Sequence, residues 1–241
     1  MAQNLFKFKQ FNIDQTDAVM KVGTDGVLLG AWTHPQQALN ILDIGIGTGL
    51  ITLMMAQNSS HKTNIDGVEI DEQSFLIAQR NITASPWSDR INLYHISIQD
   101  YLFQSDQKYD LIVSNPPFFS GGTLSDSQER TDVRHTIKLP HGDLLRSVRG
   151  LLAPTGRFTM ILPRIEGLRF IEMATSYGLY CSKKTRVFPH PKRSVERLLL
   201  EFTSNLKEKM IEKDFYLQAD DTHRNYSKEY RELTKDFYLN F

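Results

Sequence analysis

Leu42-Asp43-Ile44-Gly45-Ile46-Gly47-Thr48-Gly49 closes a short apolar run, Leu39 to Ile44, and opens a second apolar stretch through Leu50, Ile51, Leu53 and Met54. The run has the length of a buried parallel strand. The glycines allow a tight turn and a close approach of backbone to ligand, and the stretch after Thr48 reads as a helix with an apolar face. The dinucleotide fingerprint of dehydrogenases has the same outline. Asp43 argues against it, because a carboxylate at the strand end, two residues before the first glycine, repels a pyrophosphate and suits an ammonium or sulfonium group. Downstream, Glu69 in Gly67-Val68-Glu69-Ile70-Asp71 ends a second strand, where it can accept both hydroxyls of a ribose.

Outward from this unit, strands alternate with helical segments from Leu39 to Leu162, the pattern of right-handed βαβ units and a parallel sheet. A helix from Asp71 to Thr83 carries Phe75, Ile77, Ala78 and Ile82 and begins with two acids, which suit its positive end. A third strand, Ile91 to Ile98, ends in Gln99-Asp100. A helix from Gly142 to Leu152 stops against Ala153-Pro154-Thr155-Gly156, and a strand follows from Arg157 to Leu162. The helix from Glu166 to Tyr177 ends at Gly178, as a C-cap requires. Leu179 to Phe188 and Val195 to Phe202, separated by Pro189-His190-Pro191-Lys192-Arg193, read as an antiparallel pair closing the sheet. The fold class is therefore α/β.

The strand Tyr109-Asp110-Leu111-Ile112-Val113-Ser114 runs into Asn115-Pro116-Pro117-Phe118. An amide, two prolines and an aromatic ring at a strand's carboxyl end suit one task, holding a planar exocyclic amine in line with an electrophilic methyl group. The amino group of adenine is a poor nucleophile because its lone pair is delocalised into the ring. A carboxamide oxygen and an aimed backbone carbonyl can accept its two hydrogens and localise the lone pair as the new bond forms. Prolines at 116 and 117 fix φ and restrict the preceding residue, so the carbonyl direction is set in advance. Phe118 would stack on the base. The plain structural alternative is a turn ending a buried strand.

The chain has 241 residues, 40% of them hydrophobic, enough for one good core in a single α/β domain. Its one cysteine, Cys181, excludes an intrachain disulfide framework and suits a reduced, cytoplasmic setting. No stretch approaches the length of an apolar membrane span, and the N-terminus lacks the pattern of a signal peptide. The seven histidines lack ligand spacing, so no metal site is expected. Net charge is zero, yet Lys183, Lys184, Arg186, Lys192, Arg193 and Arg197 gather against the single acid Glu196, with Phe188 and His190 among them. Cations with interleaved aromatics suit single-stranded RNA, phosphates to the charges and base faces to the rings. A solvated hairpin is the competing explanation.

The front segment Met20-Lys21-Val22-Gly23-Thr24-Asp25-Gly26-Val27-Leu28-Leu29-Gly30-Ala31-Trp32, the glycine motif, Asn115-Pro116-Pro117-Phe118, Arg134-His135 and the tail from Tyr226-Ser227 to Asp236-Phe237-Tyr238-Leu239 occur in this order. In this the chain resembles, from end to end, the bacterial tRNA-valine adenine-37 N6-methyltransferases. The front segment is the most family-specific feature, whereas the glycine motif is shared with many class I methyltransferases. The resemblance implies a Rossmann-like, seven-stranded mixed sheet with helices on both faces, S-adenosylmethionine as methyl donor and an adenine beside the anticodon as target. It implies a single domain with an N-terminal extension (1–38) closing over the cofactor, a core (39–203) and a C-terminal segment (204–241). Asn115 and the Pro116 carbonyl would hold the amine, with Pro117 and Phe118 completing the catalytic motif. Asp43, Gly45, Gly47, Glu69, Ile70, Asp100 and Asn115 would form the cofactor site, Asp100 accepting from the cofactor adenine. Lys21, Thr24 and Asp25 would close over the methionine end; structurally, Gly23-Thr24-Asp25-Gly26 is also a turn feeding a helix capped by Thr24 or Asp25. Arg134, His135, Lys192 and Arg193 are the candidate RNA contacts.

Two positions depart from the family pattern. Ile46 stands where a small or hydroxylated residue is usual, and Phe118 replaces the commoner tyrosine. Asn-Pro-Pro-Phe also occurs in enzymes that methylate the guanine amine of ribosomal RNA, and the front and tail segments are what favour adenine. A protein glutamine methyltransferase normally carries a separate N-terminal helical domain, for which residues 1–38 leave no room. A DNA adenine methyltransferase needs a large target-recognition region to flip its base. An RNA-binding module that has kept the fold without catalysis is disfavoured by the intact Asp43, Glu69 and Asn115. The polar segment from Phe119 to Leu139 reads as a lid over the target base. Within it His135, beside Arg134, reads as a phosphate or positioning contact.

Overall fold

The computed structural model describes residues 4–117, 139–206, 209–222 and 225–240. Its centre is strand β3 (Asn40–Ile44), whose alternate residues feed two separate cores. Ile41 joins Leu111, Val113, Ile161 and Leu199 on one face of the sheet. Leu42 and Ile44 join Ile112, Phe158, Met160 and Leu200 on the other. Strands buried on both faces read as continuous apolar runs, which is why Leu39 to Ile44 carries no alternation.

Before β3 come a hairpin, β1 (Leu5–Lys7) and β2 (Asn12–Asp14), and helix α1 (Thr24–Trp32). After it follow α2 (Leu50–Asn58), β4 (Asn64–Glu69), α3 (Glu72–Thr83), β5 (Ile91–His95), α4 (Ile98–Gln104), β6 (Tyr109–Ser114) and α5 (His141–Leu151). The chain continues through β7 (Leu152–Pro163), α6 (Arg164–Ser176), β8 (Tyr180–Phe188), β9 (Arg197–Thr203), β10 (Ile211–Tyr216) and α7 (Lys228–Thr234). The main sheet has eight strands among the described residues, in the order β10-β8-β9-β7-β6-β3-β4-β5. β3 to β7 run parallel, β9 lies antiparallel between β7 and β8, and β10 runs parallel to β8.

Seven of these strands form the expected sheet, and β10 is an eighth added outside it. The β8–β9 pair is antiparallel as expected but does not close the sheet. β10 does, with a largely exposed, charged sequence held to β8 by Lys184–Glu212 at 2.8 Å and Arg186–Asp214 at 2.6 Å. A charged edge strand also discourages pairing with other chains. β7 begins at Leu152, so Ala153 to Gly156 belong to the strand, with a register irregularity opposite Tyr109 and Leu111. Helix α1 has Gly23 at its N-cap and no side-chain cap, so neither Thr24 nor Asp25 plays that part.

The two ends of the chain meet on the α1 face. Phe8 bridges to Tyr238, and the Lys9 amide donates to the Phe237 carbonyl at 2.8 Å. Phe11 and Tyr238 both stack on Phe8 in this clasp, and Phe6 packs on Phe8 at a tilt. Tyr230 of α7 and Phe237 share a core with α1. No helix among the described residues is long and apolar enough to cross a membrane.

Candidate active site

β3 pairs with β4 on one side and β6 on the other, so the order of the parallel strands reverses between β3 and β6. The crevice outside the carboxyl ends of strands at such a reversal is where open α/β sheets bind ligands. The glycine turn and Asn115 both open onto it. Ser114, fully buried, donates its hydroxyl to the Ile44 carbonyl at 2.8 Å and ties the two strand ends together.

In the turn, Gly45, Gly47 and Gly49 have φ of 75°, 56° and 84°, a region costly to any residue with a Cβ. A Cβ built at Gly45 or Gly47 meets no atom within 4 Å, so the turn presents bare backbone to open space. Ile46 points the other way: it is buried, and a Cβ on Gly67 would sit 2.4 Å from its Cδ1. Gly67 is the complement that lets a large residue occupy position 46. Glu69 holds the turn from the next strand. Its Oε2 accepts from Gly47 N–H at 3.0 Å, and its Oε1 accepts from the Ile70 and Asp71 amides at 2.9 and 3.0 Å. A carboxylate has about four acceptor sites, so lone-pair capacity remains for hydroxyl groups. Ile70, 38% exposed, forms an apolar wall next to it.

Asp43 is 1% exposed. Its Oδ2 accepts from the Thr52 hydroxyl at 2.7 Å, and its Oδ1 has no partner among the described residues. Burial, and in smaller part the nearby Glu69 carboxylate, pushes its carboxyl up to about 7 against the opposing pull of Thr52. Asn115 Oδ1 is likewise buried and without a partner among the described residues. An orphaned buried acceptor costs roughly 1–3 kcal/mol, so two beside an open glycine turn mark a place built for donors that arrive from outside. Gly26 of α1 borders the amide, since a Cβ there would lie 4.0 Å from Asn115 Nδ2 and 3.0 Å from Leu50 Cδ2. Pro116 is buried and Pro117 exposed.

The remaining expected site residues lie as follows. β5 ends at His95, and Asp100 lies in the first turn of α4, exposed, accepting from the Ser97 hydroxyl at 2.5 Å while Ser97 Oγ accepts from its amide. Ser97 is thus the N-cap of α4, with Asp100 bonded to its hydroxyl, and the strand stops short of Ile98 because Ser97 starts a helix. Asp25 is committed to Arg197, with Oδ2 2.9 Å from its Nε. Lys21 and Thr24 are exposed. Phe118, Arg134, His135 and the lid segment as far as residue 138 lie outside the described residues.

The basic cluster proves largely compensated by acids distant in sequence. Lys184 and Arg186 pair with Glu212 and Asp214, Arg197 with Asp25, and Lys192 with Asp221 at 3.1 Å, while Lys183 lies 4.3 Å above the Trp32 ring. The β8–β9 turn nevertheless sits at the catalytic end of the sheet. Arg197 pairs in register with Pro163 and Val187, and Ser114 with Met160 of the same strand β7. Lys192 and Arg193 are exposed there.

Asn81 was not singled out by sequence. Buried in α3, it exchanges hydrogen bonds with the Asp14 amide and carbonyl and donates to the Thr48 carbonyl at 2.8 Å. One side chain thereby pins the N-terminal hairpin to the glycine turn. Only its polar character on an otherwise apolar helix face hints at this.

The sheet order, the open glycine turn and the orphaned amide together define a class I methyltransferase. Residues 20–178 match the family model described as methyltransferase small domain. The chain is 45% identical to a tRNA1(Val) (adenine(37)-N6)-methyltransferase of Trichodesmium erythraeum over 100% of both chains, and 43% identical to one of Bacteroides thetaiotaomicron over 99% of each. It belongs to the tRNA1(Val) (adenine(37)-N6)-methyltransferase family. A solved structure from Agrobacterium tumefaciens, titled a predicted O-methyltransferase, superposes with a TM-score of 0.69 over 88% of this chain and 96% of that one. At 16% identity this likeness speaks for the fold alone.

Proposed function

We propose that the protein transfers a methyl group from S-adenosylmethionine to the exocyclic N6 amine of adenine in tRNA, at adenine 37 beside the anticodon of tRNA-valine. The observation that carries this reading is the buried Asn115 Oδ1, without a partner among the described residues, beside an open glycine turn. The residues present fit the donor. Asp43 Oδ1 would accept from its ammonium group, the backbone of Gly45 and Gly47 would lie against it, Glu69 would take the ribose hydroxyls and Ile70 would flank the base. The donor would supply a methyl group on a positively charged sulfur, which departs as a neutral thioether.

Asn115 and the Pro116 carbonyl accept the two hydrogens of the target amine and draw its lone pair out of the ring as it attacks. The proton then leaves to water, so no base is required. Phe118 stacks on the adenine. Asp100, bonded to Ser97, is close to the β5 end and keeps acceptor capacity for the cofactor adenine. Arg193 and Lys192, at the catalytic end of the sheet, contact RNA phosphates together with Arg134 and His135.

The test is mass spectrometry of nucleosides from unmodified tRNA incubated with the protein and isotope-labelled S-adenosylmethionine. N6-methyladenosine at position 37 of tRNA-valine is expected. Label in N2-methylguanosine instead would overturn the substrate assignment while keeping the amine chemistry.

A further inference from the structure

Thr52 is fully buried in α2 and donates to Asp43 Oδ2 at 2.7 Å. A threonine inside a helix commonly turns its hydroxyl back onto the carbonyl four residues earlier. Here it goes to a carboxylate on the neighbouring strand. The Thr52 backbone amide also favours the charged form, and no other described residue bonds the Asp43 side chain, whose Oδ1 stays without a partner among them. The strand neighbours of Asp43 in register are Gly67 and Val113, which offer no side-chain donor. The charged group acting on it is Glu69, of the same sign. Thr52 is therefore the one group that both fixes this carboxylate and favours its ionised form.

We propose that Thr52 is a positioning residue of the cofactor site, its hydroxyl holding Asp43 ionised and oriented so that Oδ1 receives the ammonium group of S-adenosylmethionine. The inference rests on the reading of Asp43 given above. It requires that cofactor binding strengthen as Asp43 loses its proton, and that Thr52 set the pH at which this happens. A purely structural threonine would affect stability without moving that pH.

Calorimetric titration of the whole protein with S-adenosylmethionine, from about pH 5.5 to 8, separates the possibilities. Wild-type affinity is expected to rise with pH and level off. Thr52→Val keeps the volume and removes the donor; its curve should move about one pH unit upward, a loss of roughly tenfold at the acid end. Thr52→Ser should restore the wild-type curve. Asp43→Asn should bind weakly with no such rise. If Thr52→Val fails to fold, Thr52→Ala is measured in its place, and carbon NMR of the Asp43 carboxyl in the cofactor-free protein reads the same shift. A Thr52 variant whose curve overlays the wild type overturns the proposal and leaves the role of Asp43 standing. Asp43→Asn binding as tightly as wild type overturns the reading of Asp43 and the proposal with it.

Discussion

The hydroxyl of Ser114 donates to the carbonyl of Ile44, one bond between the strand that leads into Asn115 and the strand that leads into the glycine turn. Each residue stands immediately before the functional element of its strand. Removing this bond should loosen the alignment of amide and cofactor turn more than it harms the fold. Ser114→Ala is expected to lower stability by about 1–2 kcal/mol, because a buried carbonyl loses its donor. It should lower kcat/KM by a larger factor, since small misplacements of reacting groups are costly. Chemical denaturation and steady-state kinetics on the same preparation compare the two losses, and a variant with unchanged kcat/KM would remove the alignment role.

Asn115→Ala should reduce kcat about 10²–10³-fold, the usual consequence of deleting one preorganised group that acts in the transition state. Cofactor affinity should change little, because the proposed mechanism directs the Asn115 oxygen at the target amine rather than at the donor. The variant should also be no less stable than wild type, since its oxygen has no partner among the described residues. Single-turnover methylation with bound cofactor checks the first point. Near-normal turnover would sink the mechanism.

Asp43 should make the cofactor-free protein less stable as pH rises. Its folded value of about 7 lies above the ordinary aspartate value of 3.8, so between these values the folded state holds a proton that the unfolded state has lost. The stability it contributes is whole below about pH 4, falls as pH climbs and is gone above about pH 7, a change of about 2–4 kcal/mol. Asp43→Asn should remove that slope and be the more stable protein at pH 8 while binding cofactor poorly. Urea melts of both proteins at pH 5 and pH 8 make the comparison. Identical differences at the two pH values would contradict it.

Gly67→Ala should destabilise by about 1–3 kcal/mol, because the added carbon would collide with Ile46 Cδ1 and crowd Leu93 Cδ2. Ile46→Ala in the same chain should recover part of that loss. The double-mutant cycle should show coupling of at least about 0.5 kcal/mol. Strict additivity would mean that Gly67 does not exist to house Ile46.

Binding of a tRNA anticodon arm should weaken with salt, and Arg193→Ala should flatten the log–log slope by about 0.7–0.9. Lys192 pairs with Asp221 on an open surface, where such pairs are weak, and can exchange that partner for a phosphate. Lys192→Ala should therefore flatten the slope too, and should weaken binding further by exposing the Asp221 charge. A salt titration of the two variants decides it; slopes equal to wild type would leave RNA contact to Arg134 and His135.

The features legible in the sequence were those whose signal is local. Leu39 to Ile44, the glycines after Asp43 and the prolines after Asn115 announce their geometry through residues adjacent in the chain, and the structure places them as a strand, a left-handed turn and a strand end. The features that were not legible depend on partners far away. The ion pair of Asp25 could not be read because Arg197 lies 172 residues away in the chain. The cations of β8 looked unbalanced because their acids arrive on β10, a strand without an apolar period to reveal it. Asp100 is a different case: Ile96 and Ile98 prolong the apolar pattern of β5 past its end, and the capping pair Ser97–Asp100 was the contrary signal available in the sequence.

The clasp of the two chain ends also bears on the order in which the enzyme is made. Helix α1, which borders Asn115, is made before every strand of the main sheet, whereas α7 and Phe237, which share its core, are made after them. During synthesis α1 can pack on α2 early, but the part of it that meets α7 waits, uncovered, until the strands of the sheet have been joined. A ribosome that stalls within the last strands thus leaves a chain with a complete parallel sheet and an unfinished catalytic wall. Such a product would be marked for chaperones and proteases by the same surface that the tail is there to cover.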